Sequence, residues 1–502
     1  MIVRTHLRSA LLLGACCLLA GCPRPRPDLP DETVLSNPEH RALRIVQQLC
    51  TISREQGETI WPGYQFHIVP LLIHRPHQRS FLINPATPPA GWEKISQRGF
   101  SETAYMTSSK SLDISSSLPF SRAYKVAGQE VFLVRHLNGS RDDAWFRLVV
   151  HEVFHEHQHH SWDVPAFPAA CRYPYLSEEN AFLARIEEKL LTLVVGGLQL
   201  SGLEQRAVEL VSIRLARYSL EPSGPVVMAI EEWEELVEGT ARYVEEMYAI
   251  AAGLTTRQEV TEGLVKYFRN FKPTQLQKWK YYRTGIALAL LLDVLGDVDW
   301  KASIADAGGQ FPLLQQRFAE AVVTAPGTLP ADLMKQFSAD REVTATALKK
   351  YREQEETALE KWHSEGTYRI ELVLPISGSA YYTNRGMTFH LEDCSRLATG
   401  VIAFVDQRYA LELKKRGIAF RNLEPGYQVS FHHDLKNGSL LLDGEEVAPT
   451  TTGKRSFSTG IEINFPQFQL LHSGRGWLES TAQRMTITIE EDQSSSSSSG
   501  PY

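Results

Sequence analysis

The 502-residue sequence predicts an α+β fold: a mostly helical domain entered through a small N-terminal sheet, followed by a β-rich C-terminal domain that is a sandwich or a barrel. Three observations carry that prediction. From Asp142 onward, the segments 142–160, 177–196, 202–218, 228–252, 257–269 and 275–296 repeat apolar residues at helical spacing, with Gly, Pro or Ser between them. Ahead of them, the runs 66–74, 79–84 and 130–135 are rich in β-branched and aromatic residues and are bounded by Pro and Gly, as short strands are. Beyond residue 366 the composition changes to strand-like runs divided by turn signals.

Taken in order, residues 1–21 form an export signal and 22–37 a tether. A helix over 38–56 ends where Trp61-Pro62-Gly63-Tyr64 breaks its pattern. The sheet and the helices of the main domain occupy the rest of 38–330, and a charged connecting helix lies within 331–365, with Glu and Lys at the spacing of a solvated face. In the β-rich domain, 366–490, strands are expected at 368–374, 387–391, 400–405, 427–431, 440–442, 461–465 and 485–489, with Asn437-Gly438 and Asp443-Gly444 as turns. The tail 491–502, half of it serine, is of low complexity.

Composition is that of an ordinary globular protein, 43% hydrophobic and 22% charged. The net charge of −7, with no Lys/Arg block, argues against a nucleic-acid partner, which needs cations to displace counterions. The N-terminus carries basic Arg4 and Arg8 and then an apolar stretch from Ser9 to Ala20, too short to span a bilayer. It ends in Leu19-Ala20-Gly21-Cys22, which resembles the bacterial lipobox. That resemblance implies cleavage before Cys22, acylation of its sulfur and a membrane-anchored protein of the cell envelope. Residue 23 is Pro, not the Asp that retains such proteins at the inner membrane, so the outer membrane is the expected address in a Gram-negative cell. Pro23-Arg24-Pro25-Arg26-Pro27 then forms an extended tether. Cys50, Cys171 and Cys394 remain, an odd number with no disulfide framework and no cysteine zinc site.

The chemistry is concentrated in His151-Glu152-Val153-Phe154-His155, an H-E-x-x-H run. On a helix, side chains four apart stand on one face with Cβ atoms about 5–6 Å from each other, so His151 and His155 can share one Zn2+ ion. Glu152 is about 100° round the helix from the first ligand. There its carboxylate adjoins the zinc-bound water as a general base. A second register, with His155 and His159 as ligands and Glu156 as base, overlaps the first. The first is favoured because Phe146, Val149, Val150, Val153 and Phe154 give its helix an apolar back to bury, whereas His157 and Gln158 offer the second little. His157, His159 and His160 are read as exposed or supporting groups, and Asp293 and Asp297 as caps or surface charges.

A metzincin would have Gly at 157 and His at 161, and this chain has His157 and Ser161. Downstream, Glu238-Gly239-Thr240-Ala241-Arg242-Tyr243 resembles the second-helix Glu-Gly-x-Ala-x-Tyr motif of gluzincin metallopeptidases, and the resemblance covers about 140–295. It implies a zincin-like domain in which Glu238 is the third zinc ligand, with Glu235 and Glu234 as alternatives. Gly239 and Ala241 would let that helix approach the histidine helix closely. Against it stands the reading of Glu238 as one of an acidic face with Glu231, Glu232, Glu234, Glu235, Glu245 and Glu246. Oxyanion donors are sought among Tyr281, Tyr282 and Arg283, with Tyr282 and Arg283 carried forward. The expected function is a lipid-anchored zinc metallopeptidase acting on peptide or protein substrates. The alternatives are an envelope binding protein with a structural zinc site closed by a fourth ligand such as His159, and a zinc amidase acting on cell-wall peptides.

Overall fold

A computed structural model describes the chain from residue 35 to residue 489, leaving out short internal stretches of which the longest are 113–119, 165–176, 271–278, 323–328, 375–380 and 433–438. The signal segment, Cys22, the tether, the serine-rich tail, Cys171, Cys394, Asp297 and Asn437-Gly438 lie outside the described residues. The fold is α+β. Helix α1 (Asn37–Ile60) starts in a capping box between Ser36 and Glu39. Its Glu39 carboxylate also binds Arg79, which ties the helix to the sheet behind it. Cys50 is buried in α1 and unbridged.

A 3-10 turn (Phe66–Ile68) occupies the start of the run expected as a strand over 66–74, and β1 (Leu71–His74) follows. Then come β2 (Arg79–Ile83), β3 (Glu93–Lys94), β4 (Ala104–Ser108), β5 (Phe120–Val126) and β6 (Gln129–Arg135). They form one sheet in the order β3-β4-β2-β1-β6-β5, antiparallel except where β1 meets β6. Sequence pattern does not reveal β3, β4 and β5: the first is two charged residues, and the others interrupt their apolar positions with polar ones.

Helix α2 (Asp142–Ser161) leaves β6 with Trp145 Nε1 donating to the Arg135 carbonyl at 3.1 Å. Phe146, Val149, Val150, Val153 and Phe154 are buried to within 1% of complete, and Phe154 meets Trp61 and Tyr64 edge to face at 5.1 Å. Further helices are α3 (Glu178–Gly196), α4 (Leu203–Tyr218), α5 (Gly224–Glu234), α6 (Thr240–Ala251), α7 (Arg257–Arg269), α8 (Trp279–Leu295), α9 (Trp300–Ala307) and α10 (Gln310–Arg317). The helix expected over 228–252 is broken by a π-helical turn, Glu235–Gly239, between α5 and α6. The connecting helix is also two pieces, α11 (Ala331–Gln336) and α12 (Ala339–Ser364), because Phe337 turns inward and packs in the core beneath Lys189.

Strands β7 (Arg369–Leu374) to β21 (Arg484–Ile489) build an eight-stranded and a seven-stranded sheet among the described residues. At Asp443-Gly444 both residues have positive φ, 51° and 83°, the turn geometry that the pair was expected to supply. No helix among the described residues is long and apolar enough to cross a membrane.

Candidate metal centre

His151 and His155 stand on one face of α2 and are 7% and 4% exposed. Their Nε2 atoms are 3.2 Å apart, and both face the same oxygen, Glu238 Oε2, at 3.1 Å and 3.4 Å. Three donors from two elements thus converge on one point, and these residues form the group found among the described residues that could hold a metal ion.

The far side of each ring is engaged. His155 Nδ1 is 2.6 Å from Gln158 Oε1, and Gln158 must present its oxygen there because its amide nitrogen donates to the Val237 carbonyl and Thr240 Oγ1. His151 Nδ1 lies 3.3 Å from Glu245 Oε2. Neutral rings carrying their protons on Nδ1 would turn both Nε2 lone pairs inward, where with the Glu238 carboxylate they would suit a cation. Burial disfavours charge on His151, but hydrogen bonds to Glu238 and Glu245 outweigh it and lift its pKa to about 10. Burial likewise would raise the Glu238 carboxyl, and the facing His155 and His151 hold it well below the usual range. Donors around tetrahedral zinc at 2.0–2.1 Å are separated by about 3.3 Å, so the spacing and the His/His/Glu chemistry fit that ion.

The π-turn delivers Glu238. Inserting one extra residue per turn rotates the side chains that follow, so Glu238 faces α2 while Glu235 points into the core. There Glu235 accepts from Arg214 at 2.6 Å and from Thr284, and its carbonyl accepts from Gln310 Nε2 at 3.1 Å. Arg214 and Arg217 also share Glu187, while Glu231 binds Arg217 and, at 3.2 Å, Lys280. The carboxylates read as one solvated acidic face are therefore mostly interior: Glu231, Glu235, Glu245 and Glu246 are all at most 5% exposed.

Gly239 does not serve the approach to α2 that its size suggested. A Cβ there would come within 2.7 Å of Gly285 Cα on α8, and one on Gly285 would collide with Gly239 in return. The two glycines let α8 cross the π-turn with backbones touching. That crossing sets Tyr282, whose ring stacks on His151 at 5.7 Å between centroids and 14° between planes, and whose hydroxyl hydrogen-bonds Glu238. Burial, and then the Glu238, Glu234 and Glu152 carboxylates, push the phenol pKa up. Arg283, one residue round the helix, points elsewhere: its guanidinium lies 5.6 Å from the Tyr267 ring centre, among Arg242, Glu245 and Glu246. Tyr281 is wholly buried in the core.

Glu152 is half-buried on the side of α2 next to the two histidines, and Glu234 is half-buried one turn before Glu238. His159 and His160 are exposed, which separates His159 from the triad, and His157 packs against Tyr64 and Phe154. Asp293 is neither cap nor surface charge: it accepts from Tyr243 and from Trp300 Nε1 and pairs with Arg257 at 3.1 Å. Sequence reasoning missed Gln158 and Glu245 as partners of the two rings. Their signal was spacing, three residues past His155 and seven, two helical turns, past Glu238. Compared with known proteins, the chain matches no family model, no curated protein and no solved structure.

Proposed function

We propose that the chain is a zinc metallopeptidase of the zincin-like, gluzincin type, held at the bacterial envelope by a lipid on Cys22. The single observation that supports this best is the triangle of His151 Nε2, His155 Nε2 and Glu238 Oε2, with sides of 3.1–3.4 Å, beside the half-buried Glu152. His151, His155 and Glu238 would hold the ion. Bound zinc supplies Lewis acidity, which polarises a carbonyl and lowers the pKa of a neighbouring water.

The chain's own groups do the rest. Glu152 takes a proton from the attacking water and returns it to the nitrogen as the C–N bond breaks, so water is added across the peptide bond. Tyr282 keeps its proton, because burial and three nearby carboxylates oppose ionisation. Its hydroxyl would then donate to the oxygen on which negative charge develops. Glu245 and Gln158 orient the two imidazoles from behind, and Arg242 secures Glu245 at 2.5 Å.

A Glu152→Gln variant tests the reading. It should retain zinc, measured by metal analysis, and lose about 10²–10⁴ of peptide hydrolysis, measured on a mixed peptide library. Hydrolysis at the wild-type rate in that variant would sink the proposal. The competing idea of a structural site needs a fourth protein ligand, and the exposure of His159 gives it no support.

A further inference from the structure

A π-turn widens a helix by one residue, so its carbonyls lose the regular backbone donors, and carbonyls that are buried must find others. Glu235, Leu236 and Val237 are all buried, which leaves water little access to them. Side chains serve instead. The Val237 carbonyl accepts from Gln158 Nε2 at 2.8 Å, the Leu236 carbonyl from Thr240 Oγ1 at 2.5 Å and the Glu235 carbonyl from Gln310 Nε2 at 3.1 Å. Thr240 begins the helix that continues the turn, and Gln158 lies on the helix of the two histidines. Of the three donors, only Gln310 comes from an element that has no part in the site.

Helix α10 is seated on the turn by its first residues. A Cβ on Gly309 would stand 3.6 Å from the Glu232 carbonyl oxygen and 3.8 Å from Leu236, so the chain enters α10 in contact with the turn. Gln310 is wholly buried, and its Oε1 has no hydrogen-bond partner among the described residues, so the bond to Glu235 is what orients the amide. The buried Phe311 ring lies 4.8 Å from the Arg214 guanidinium carbon, and Arg214 donates to the Glu235 carboxylate at 2.6 Å. Glu235 is thus held by its carbonyl through Gln310 and by its side chain through Arg214.

We propose that Gln310 is a positioning residue for the metal centre: its hydrogen bond to the Glu235 carbonyl keeps the turn π-helical and so keeps Glu238 directed at His151 and His155. The inference rests on the metal-centre reading above. The extra residue in the turn is what offsets Glu238 from the faces of α5. If the turn closes to α-helical pitch, the carboxylate swings about the axis by about the 100° that one residue advances, away from the two Nε2 atoms it now faces at 3.1 Å and 3.4 Å. Gln310 opposes that closure, because a carbonyl already engaged from α10 gains less by returning to the backbone ladder.

The test uses the full chain loaded with Zn2+, or with Co2+ for spectroscopy, and three variants. Gln310→Met keeps the length of the side chain and removes the donor, and Gln310→Asn keeps the amide but shortens its reach. Leu314→Ala, one turn further along α10 and wholly buried, loosens the same helix without removing a donor. Chelator competition measures zinc affinity, and thermal melts measure folding. Visible absorption of bound Co2+ reports coordination, being strong for a four-coordinate ion and weak for a six-coordinate one. Both Gln310 variants should bind zinc about 10–100-fold more weakly, the range for losing a partner that supports metal ligands, and should show weakened cobalt bands. Leu314→Ala should melt lower yet keep the affinity and spectrum of wild type. Either Gln310 variant decides the matter alone if the other fails to fold. Wild-type zinc affinity in Q310M or Q310N overturns the proposal. A loss in L314A as large as theirs also overturns it, since Gln310 would then be an ordinary part of the core. A wild-type chain that binds neither ion defeats the metal-centre reading and the proposal with it, whereas unaffected variants leave that reading standing.

Discussion

Tyr282 illustrates how much a single side chain depends on its neighbours. In sequence it is one of three polar residues ahead of an apolar helix, and its two neighbours are taken up by the core and by Tyr267. Its ring lies parallel to His151, and its hydroxyl shares Glu238 with the two histidines. Replacing it with Phe leaves the stacking and removes the donor. A Y282F variant should therefore lose about 10²–10³ in kcat with KM little changed, in steady-state assays on one cleaved peptide. A rise in KM with kcat unchanged would instead make Tyr282 a packing residue. Glu188 on α3 is a second case in which surroundings override residue type. It is fully buried, neither carboxylate oxygen has a hydrogen-bond partner among the described residues, and burial pushes its pKa up to about 8 against the opposing pull of Lys280.

At the scale of elements, the site is made by a crossing. Helix α2 contributes both histidines, but Glu238 reaches them only because the π-turn rotates it and α8 packs tightly across that turn. Gly285 has no room for a methyl group against Gly239. Gly285→Ala should force the two backbones apart, costing about 1–3 kcal/mol of stability, and should weaken zinc binding because Glu238 shifts with the turn. Thermal melts and chelator competition measure the two effects. Unchanged zinc affinity in G285A would show that the crossing does not position the ligand. The apolar periods of α1 to α4, α7 and α8 were legible in the sequence to within a few residues, since each helix buries one stripe. The π-turn was not legible, because its residues continue the same helical period on both sides.

On the scale of the whole molecule, the helical core is organised around buried charge as well as apolar packing. Glu187, Glu231, Glu235, Arg214, Arg217 and Lys280 are each at most 1% exposed and join α3, α4, α5, the π-turn and α8. Breaking one pair would strand a buried charge, which makes the arrangement of these helices specific even where the net stabilisation is small. Glu188 beside this network gives the fold a pH dependence. The unfolded chain releases the Glu188 proton near its ordinary value of 4.5, whereas the folded chain keeps it to about 8. Folding is therefore favoured fully below the lower value, loses ground between the two, and carries a constant penalty above the upper one. A Glu188→Gln variant should gain on wild type in melting temperature as pH rises from 4.5 to 8, by the equivalent of a few kcal/mol at most. Parallel melting curves for the two proteins across that range would show that Glu188 does not titrate this way.

By itself, the sequence determined the α+β class, the succession of helices and the spacing that puts His151, Glu152 and His155 on one helix, because these follow from local periodicity. It also singled out Glu238, through a motif resemblance that carries no coordinates. Only the tertiary structure decided that Glu238 comes to the two imidazoles, that Glu245 and Gln158 stand behind them, and that Tyr282, not Arg283, faces them. Those facts depend on how separate helices cross, on contacts such as Gly239 with Gly285 and Arg214 with Glu235, and residues so far apart in the chain leave no common period for a sequence to display.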